Sequence, residues 1–219
     1  MPEKTHIVGA SHNFHDAEYA EFWASSFEVT PERLNCFKHM GDKIELKLNT
    51  RSYILELGSG PGYFASYILK RFPKVSYVCM DYSASMIDIA RSNLKEFGDR
   101  VTFIQVDLRS RNWIDGITQR FSAIASTWAL HDLESREYTS QVYAQARILL
   151  EDAGVFINSD FIKPLEVDQE FEPGRYFVDH HIEDFLAGGY SKAECSMRFE
   201  TDLYKPASHN NYACIIGTA

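Results

Sequence analysis

Residues 54–64 read Ile-Leu-Glu-Leu-Gly-Ser-Gly-Pro-Gly-Tyr-Phe, and this stretch decides the fold. An apolar run interrupted by Glu56 predicts a buried strand, and Gly58, Gly60 and Gly62 then lead into a helical pattern. Glycine adopts backbone angles that strain other residues, and it lets a ligand approach the main chain. Because ligands of open α/β sheets bind at the carboxyl ends of the strands, the turn predicts a binding crevice. A tight strand-to-helix turn that binds no ligand is the alternative.

The spacing of these glycines differs from that of a dinucleotide-binding fingerprint. That fingerprint places its third glycine three residues after the second, where this chain has Tyr63. The stretch resembles the first motif of class I (seven-strand, Rossmann-like) S-adenosylmethionine-dependent methyltransferases. The resemblance implies S-adenosyl-L-methionine as cofactor and S-adenosyl-L-homocysteine as product. It also implies that main-chain groups of Gly58, Ser59, Gly60 and Gly62 approach the methionyl part. Glu56 would anchor the loop or the methionyl ammonium group.

The composition is that of an ordinary globular protein of 219 residues, with 45% hydrophobic and 24% charged residues, so we expect one domain. The net charge of −9, without a basic cluster, disfavours a nucleic-acid partner. The four cysteines lack metal-ligand spacing, and no apolar stretch approaches the ~18 residues that a membrane span needs. The N-terminus lacks the pattern of a signal peptide. We therefore expect a cytoplasmic monomer or homodimer with no metal and no membrane partner.

Strands and helices alternate along the chain. We expect helices at 12–27 and 31–49, then strands at 52–57, 76–80, 101–106, 121–126 and 154–159, with helices at 62–71, after Ser83 or Ser85, at 111–119 and at 134–152. Gly154 would end the last of these helices in a left-handed conformation. An acidic, proline-containing loop over 163–179, a helix over 180–186 and strands at 193–203 and 211–217, joined by a turn at 206–210, complete the chain.

This alternation predicts an α/β fold with a doubly wound parallel sheet. The terminal hairpin matches the seven-strand order of the class I methyltransferases. We therefore expect a mostly parallel seven-stranded sheet with a C-terminal antiparallel hairpin. Within a single domain over 1–219, a helical cap would span 1–50, the cofactor-binding core 51–162, a substrate-side loop and helix 163–190, and the hairpin 191–219.

Acids also follow the second and third expected strands. Asp81 ends the second strand, where an acid accepts hydrogen bonds from ribose hydroxyls in ribose-binding folds. The resemblance implies that Asp107, at the end of the third strand, accepts from the adenine amino group. A single acid at a strand end is more often a helix cap. Acids at three successive strand ends, Glu56, Asp81 and Asp107, favour a binding site. The further cofactor contacts that the resemblance implies are Tyr82, Met86, Leu108 and Thr127.

Residues 126–133, Ser-Thr-Trp-Ala-Leu-His-Asp-Leu, follow the fourth strand and face the transferred methyl group in similar enzymes. They lack the Asn/Asp-Pro-Pro-aromatic tetrapeptide of enzymes that methylate amino groups of DNA bases and of some proteins, and they resemble the Leu-His run of small-molecule methyltransferases. With an unperturbed pKa of ~6.5, His131 suits a general base. A histidine that only orients its loop or caps the next helix is the alternative.

Aromatic residues suggest where an acceptor binds. The residues that we expect to wall the acceptor pocket are Tyr19, Trp23, Trp128, Tyr176 and Phe177. Residues 163–185 contain seven acids and only two basic residues, Lys163 and Arg175. Because a cleft lined by negative charge attracts cations, this raises the hypothesis of an amine acceptor. A solvated acidic loop is the alternative.

Together these patterns predict methyl transfer from S-adenosylmethionine to a small-molecule acceptor by in-line displacement. Three other functions stay open: a catalytically silent cofactor-binding module, a nucleic-acid or protein methyltransferase, and a nicotinamide oxidoreductase. The glycine spacing argues against the oxidoreductase, and the acidic charge argues against nucleic acid.

Overall fold

The computed structural model describes residues 13–27, 29–164, 174–200 and 211–219. The turn expected at 206–210 lies outside the described residues, as do Glu166, Asp168, Glu170 and Glu172 of the acidic loop.

One seven-stranded sheet organises the fold. Its strands are β1 (Tyr53–Leu57), β2 (Ser76–Asp81), β3 (Val101–Gln105), β4 (Phe121–Thr127), β5 (Leu150–Phe161), β6 (Lys192–Glu200) and β7 (Asn211–Thr218). They lie in the order β3-β2-β1-β4-β5-β7-β6, and β7 is antiparallel to both of its neighbours while the other pairs are parallel. The α/β architecture with a mostly parallel sheet and an antiparallel terminal hairpin is thus confirmed.

Six α-helices accompany the sheet among the described residues: α1 (Ala17–Ser26), α2 (Pro31–Glu45), α3 (Tyr63–Arg71), α4 (Ala84–Asn93), α5 (Arg136–Leu149) and α6 (Val178–Ala187). Short 3-10 helices span Asn13–His15, Lys95–Arg100 and Leu130–Leu133. Thr30 caps α2 ahead of Pro31, and Ser83 caps α4, because their hydroxyls accept hydrogen bonds from main-chain amides of the first turn.

Cores form on both faces of the sheet because the central strands are buried on both sides. Ile54 of β1 packs with α2 and α3 on one face, where Met40 and Ile68 are buried. The next residue, Leu55, points to the opposite face and packs in the core with Val142 of α5 and Phe185 of α6. This alternation fixes the register of β1 and thereby the position of the glycine turn that follows it.

Two local predictions are wrong. The expected helix over 111–119 is a series of turns, in which Asp115 and Ile117 bond to carbonyls only three residues earlier and Gly116 adopts a φ of +80°. Gly154 does not end α5, because the helix ends at Leu149 and β5 begins at Leu150, which pairs with Phe121 before the register shifts. Gly154 is instead a crowded strand residue, since a Cβ there would lie 3.1 Å from the Phe121 carbonyl oxygen.

Candidate active site

A cavity of about 420 Å³ lies at the carboxyl ends of the parallel strands, within the size range of small-molecule sites. The expected site residues that line it are Trp23, Gly58, Ser59, Gly60, Asp81, Tyr82, Met86, Asp107, Leu108, Thr127, Trp128 and His131. The expected residues that lie outside its lining are Tyr19, Glu56, Gly62, Tyr176 and Phe177.

The glycine turn forms one wall of the cavity, with φ values of +67° at Gly58, +49° at Gly60 and +81° at Gly62. Gly58 and Gly62 also pack tightly: a Cβ at Gly58 would lie 2.3 Å from the Cβ of Ala129, and one at Gly62 would lie 2.8 Å from Leu94 Cδ1. A Cβ at Gly60 would meet no protein atom within 4 Å. Gly60 therefore leaves open space beside the main chain at the cavity wall.

Asp81 connects the glycine turn to α4. Its Oδ2 accepts a hydrogen bond from Gly60 N at 2.8 Å, and its Oδ1 accepts one from Ser83 N at 2.8 Å. Burial raises the pKa of Asp81, and these main-chain donors oppose that rise. A carboxylate offers about four acceptor sites, so Asp81 retains capacity for hydroxyl groups of a ligand.

Asp107 and Tyr82 form the neighbouring wall. Arg109 Nε donates to Asp107 Oδ1 at 3.0 Å and Arg109 Nη2 donates to Oδ2 at 2.7 Å. Burial raises the pKa of Asp107, but the hydrogen bonds from Arg109 outweigh this and leave it below its usual value. The Arg109 guanidinium also lies 5.7 Å from the Tyr82 ring centroid, and the His15 ring lies 4.8 Å from the same ring in an edge-on contact. Asp107 is therefore ionised and fixed beside an aromatic ring.

Glu56 lies beneath the cavity rather than in its lining. It is fully buried in β1, and it accepts hydrogen bonds from the hydroxyls of Tyr77 at 2.9 Å and Thr127 at 3.3 Å. Burial raises the pKa of Glu56 to about 8, despite these two donors. Glu56 thus supports the turn from below, through residues of the flanking strands β2 and β4.

His131 forms a pair with Asp160, which sequence reasoning missed. Asp160 Oδ1 lies 2.7 Å from His131 Nδ1, and Asp160 Oδ2 accepts from the main-chain N of His131 at 2.9 Å. Since an ionised carboxylate only accepts, Nδ1 carries a hydrogen. Asp160 is almost fully buried near the end of β5, so it fixes the imidazole ring and directs Nε2 away from the strand.

The charges around the imidazole set its protonation. Burial lowers the pKa of His131, but Asp160 and Asp132 outweigh burial and raise it to about 9. Asp132 Oδ1 lies 3.3 Å from His131 Nε2, and burial raises the pKa of Asp132 to about 6. Near neutral pH the unliganded protein therefore carries a protonated imidazole between two carboxyl groups.

The expected aromatic wall divides in the structure. Trp23 and Trp128 line the cavity. Trp128 adopts a left-handed φ of +49°, and its main-chain N–H donates to the Ser159 carbonyl at 2.7 Å. Tyr19 packs against Phe14 and is partly exposed on α1.

Tyr176 and Phe177 are directed to other neighbours. The main chain of Tyr176 forms a β-bridge with Ile162, and the Tyr176 ring lies 5.8 Å from the His181 ring. The Phe177 ring contacts His180 and Lys163. Neither side chain lines the cavity.

The cavity lining also contains residues that the sequence analysis did not name as site residues, among them Phe27, Arg33, Phe37 and Phe161. Arg33 and Phe37 lie on α2, where no local pattern distinguishes them from other residues of an amphipathic helix. Asp160 carried a usable signal, because it lies near the end of an expected strand as Asp81 does.

Among the described residues, no group of three or more His, Cys, Asp or Glu side chains is arranged to hold a metal ion. None of the helices in that part of the chain is both long and apolar enough to cross a membrane.

Comparison with known proteins identifies similar sequences and folds. Residues 54–154 match a family profile described as "Methyltransferase domain". The malonyl-[acyl-carrier protein] O-methyltransferase 1 of Ilyobacter polytropus is 37% identical over 34% of this chain and 29% of its own length. The release factor glutamine methyltransferase of Rhodopirellula baltica is 32% identical over 49% of this chain and 39% of its own. The chain thus spans well under half the length of these relatives.

A solved structure from Nostoc punctiforme, described as that of a putative O-methyltransferase, has a similar fold. It superposes with a TM-score of 0.68 at 14% identity, covering 93% of this chain and 59% of the other. At this identity the likeness shows the fold alone, and it extends over nearly the whole chain.

Proposed function

We propose that this chain, which carries the methyltransferase domain matched at residues 54–154 and the fold of class I S-adenosylmethionine-dependent methyltransferases, methylates a small-molecule acceptor in the cavity at the carboxyl ends of its strands. The observation that carries this proposal is one cavity that holds the glycine turn, Asp81 and the imidazole of His131 together.

The residues present fit the cofactor. The open space at Gly60 accommodates a ligand against the main chain, which a side chain there would fill. Asp81 keeps acceptor capacity for the ribose hydroxyls. Asp107 offers a carboxylate to the adenine, and Tyr82 and Met86 offer apolar surfaces for its ring. Ser59, Leu108 and Thr127 complete this end of the cavity, with Glu56 beneath the turn and Gly62 starting α3.

When bound, S-adenosylmethionine supplies a methyl group whose bond to sulfur breaks as the bond to the acceptor forms, with the electron pair remaining on sulfur. The protein contributes by holding the acceptor in line and by excluding water. Trp23 and Trp128 cover the acceptor side. If the acceptor is a hydroxyl, the neutral form of His131, whose fraction grows as the pH approaches about 9, takes its proton at Nε2, while Asp160 holds the ring and stabilises the imidazolium.

The test is release of S-adenosylhomocysteine from S-adenosylmethionine with phenols, carboxylic acids and amines as acceptors. For a hydroxyl acceptor, His131→Gln should lower kcat by about 100-fold or more, the usual contribution of a general base. Its affinity for S-adenosylhomocysteine in isothermal titration should stay within a few-fold of wild type.

Tight cofactor binding with no turnover of any acceptor, including a small-molecule extract, would favour the silent binding module instead. Turnover of a protein substrate alone would favour a protein methyltransferase, the class to which the release factor relative belongs by its name.

A further inference from the structure

The side of the cavity away from Asp81 and Asp107 has its own chemistry. We call it the acceptor compartment and define it by Phe27, Arg33, Phe37, Trp128 and Phe161, all of which line the cavity. Four of its five side chains are aromatic, and Phe37 and Trp128 lie in ring contact at 6.0 Å. Phe161 in turn lies 4.8 Å from the His131 ring. The compartment therefore has flat apolar walls that lead to the imidazole.

Arg33 places a cation between these walls. Its Cζ lies 4.0 Å from the Phe27 ring centroid and 5.8 Å from that of Trp128. The start of α2 fixes its backbone, since Thr30 Oγ1 accepts from Arg33 N at 3.3 Å. Burial of nearly half of the residue lowers the pKa of Arg33, as expected for a charge that has lost part of its hydration. A guanidinium carries five N–H donors, so Arg33 can bind a ligand carboxylate in addition to its contacts within the protein.

The distribution of charge in the cavity also favours an anion here. Arg33 is the one Arg or Lys side chain among the cavity-lining residues that the structure describes. The acids Asp81 and Asp107 lie at the other end, where they bind main-chain amides and Arg109. The remaining lining acid, Asp132, lies against His131. A guanidinium presents donors in a planar fork that matches the two oxygens of a carboxylate.

The acids of residues 163–185, which suggested an amine acceptor, do not line this cavity where the structure describes them. Glu183 and Asp184 of α6 bind Arg136 of α5 at 2.9 and 2.8 Å instead. Neither acid contributes to the cavity lining.

We propose that Arg33 is a specificity-determining residue that binds a carboxylate of the acceptor, so that the substrate is an aromatic or apolar acid. The carboxylate is a recognition group, the ring or apolar body lies between Phe27, Phe37 and Trp128, and the atom to be methylated points toward His131. This inference rests on the proposed function, because it assigns the class of acceptor to the same cavity.

The probes share one phenol ring and differ in the charge of the side chain: hydroxyphenylpropionate, its methyl ester and tyramine. Binding to the S-adenosylhomocysteine-loaded protein is measured by isothermal titration, which needs no turnover. We expect the acid to bind more tightly than the ester and the amine. Arg33→Gln should weaken binding of the acid by about 10- to 100-fold, the range of charge-assisted hydrogen bonds, and change binding of the ester little.

Arg91→Gln is the matched control, because Arg91 also stacks on an aromatic ring, Phe103 at 4.7 Å, outside this cavity. It should bind all three probes as wild type does. Arg33→Lys keeps the charge but not the fork, and it should fall between wild type and Arg33→Gln.

An acid that binds no better than its ester would overturn the proposal, as would equal losses for acid and ester in Arg33→Gln, which would indicate a packing role. Failure of the methyltransferase proposal looks different: the acid would still bind in an Arg33-dependent way, but no methylated product would form from any probe or extract.

Discussion

The glycine turn allows a sharp test, because Gly60 differs from its neighbours in what a side chain would meet. Gly60 has a φ of +49°, and a Cβ there touches no protein atom within 4 Å. Gly60→Ala therefore adds only the strain of a left-handed alanine, roughly 1–2 kcal/mol. For a chain of this length that corresponds to a decrease in Tm of about 2–8 °C, so the variant should fold.

The added methyl group nevertheless occupies the space where the cofactor would approach the main chain. We expect the affinity for S-adenosylhomocysteine to fall by at least about tenfold, equivalent to about 1.4 kcal/mol. Isothermal titration at 25 °C measures the affinity, and thermal unfolding measures the stability of the same preparation.

Gly116→Ala provides the matched control. Gly116 also has a positive φ, +80°, and open space around its Cβ position, but it lies in the turns outside the cavity lining. It should show a similar decrease in Tm and wild-type affinity. A folded Gly60→Ala variant that binds S-adenosylhomocysteine within about threefold of wild type would refute the placement of the cofactor at this turn, since a tenfold loss is about 1.4 kcal/mol.

The strand-end acids should differ in their contributions: Asp81→Ala removes an acceptor from a buried site and should weaken S-adenosylhomocysteine binding about tenfold or more, for an unpaired-group cost of 1–3 kcal/mol. Asp107→Ala should weaken S-adenosylhomocysteine binding less, because Asp107 is partly exposed. Negligible losses of affinity in both variants would place the cofactor elsewhere. For a hydroxyl acceptor, kcat/KM should rise with pH up to about 9, since the carboxyl groups hold His131 protonated below its raised pKa. The raised pKa of His131 also stabilises the folded state. This contribution to the free energy of unfolding is fully present below pH ~6.5 and is lost as the pH rises through about 9. A flat pH–rate profile would exclude His131 as the base.

Local sequence determined the backbone of this protein and one end of its cavity. The glycine turn, the strand-end acids and the alternation of elements encode backbone conformations, and neighbouring parallel strands necessarily end at one edge of a sheet. Asp81 could therefore be placed beside Gly60 from the sequence, and the structure joins them by a hydrogen bond. The errors at 111–119 and Gly154 arose where short-range turn bonds and a strand register outweighed local propensity.

Tertiary structure alone decided which side chains face one another across the cavity. His131 and Asp160 are far apart in sequence and meet because β4 and β5 pair in parallel. Arg33 reaches the cavity because α2 packs on the sheet face beside α3, and no residue near Arg33 in sequence signals that position. Sequence periodicity specifies which face of an element is buried, but not which partner covers it. Packing of distant elements specifies that partner, and it places Arg33 in the cavity while directing Phe177 elsewhere.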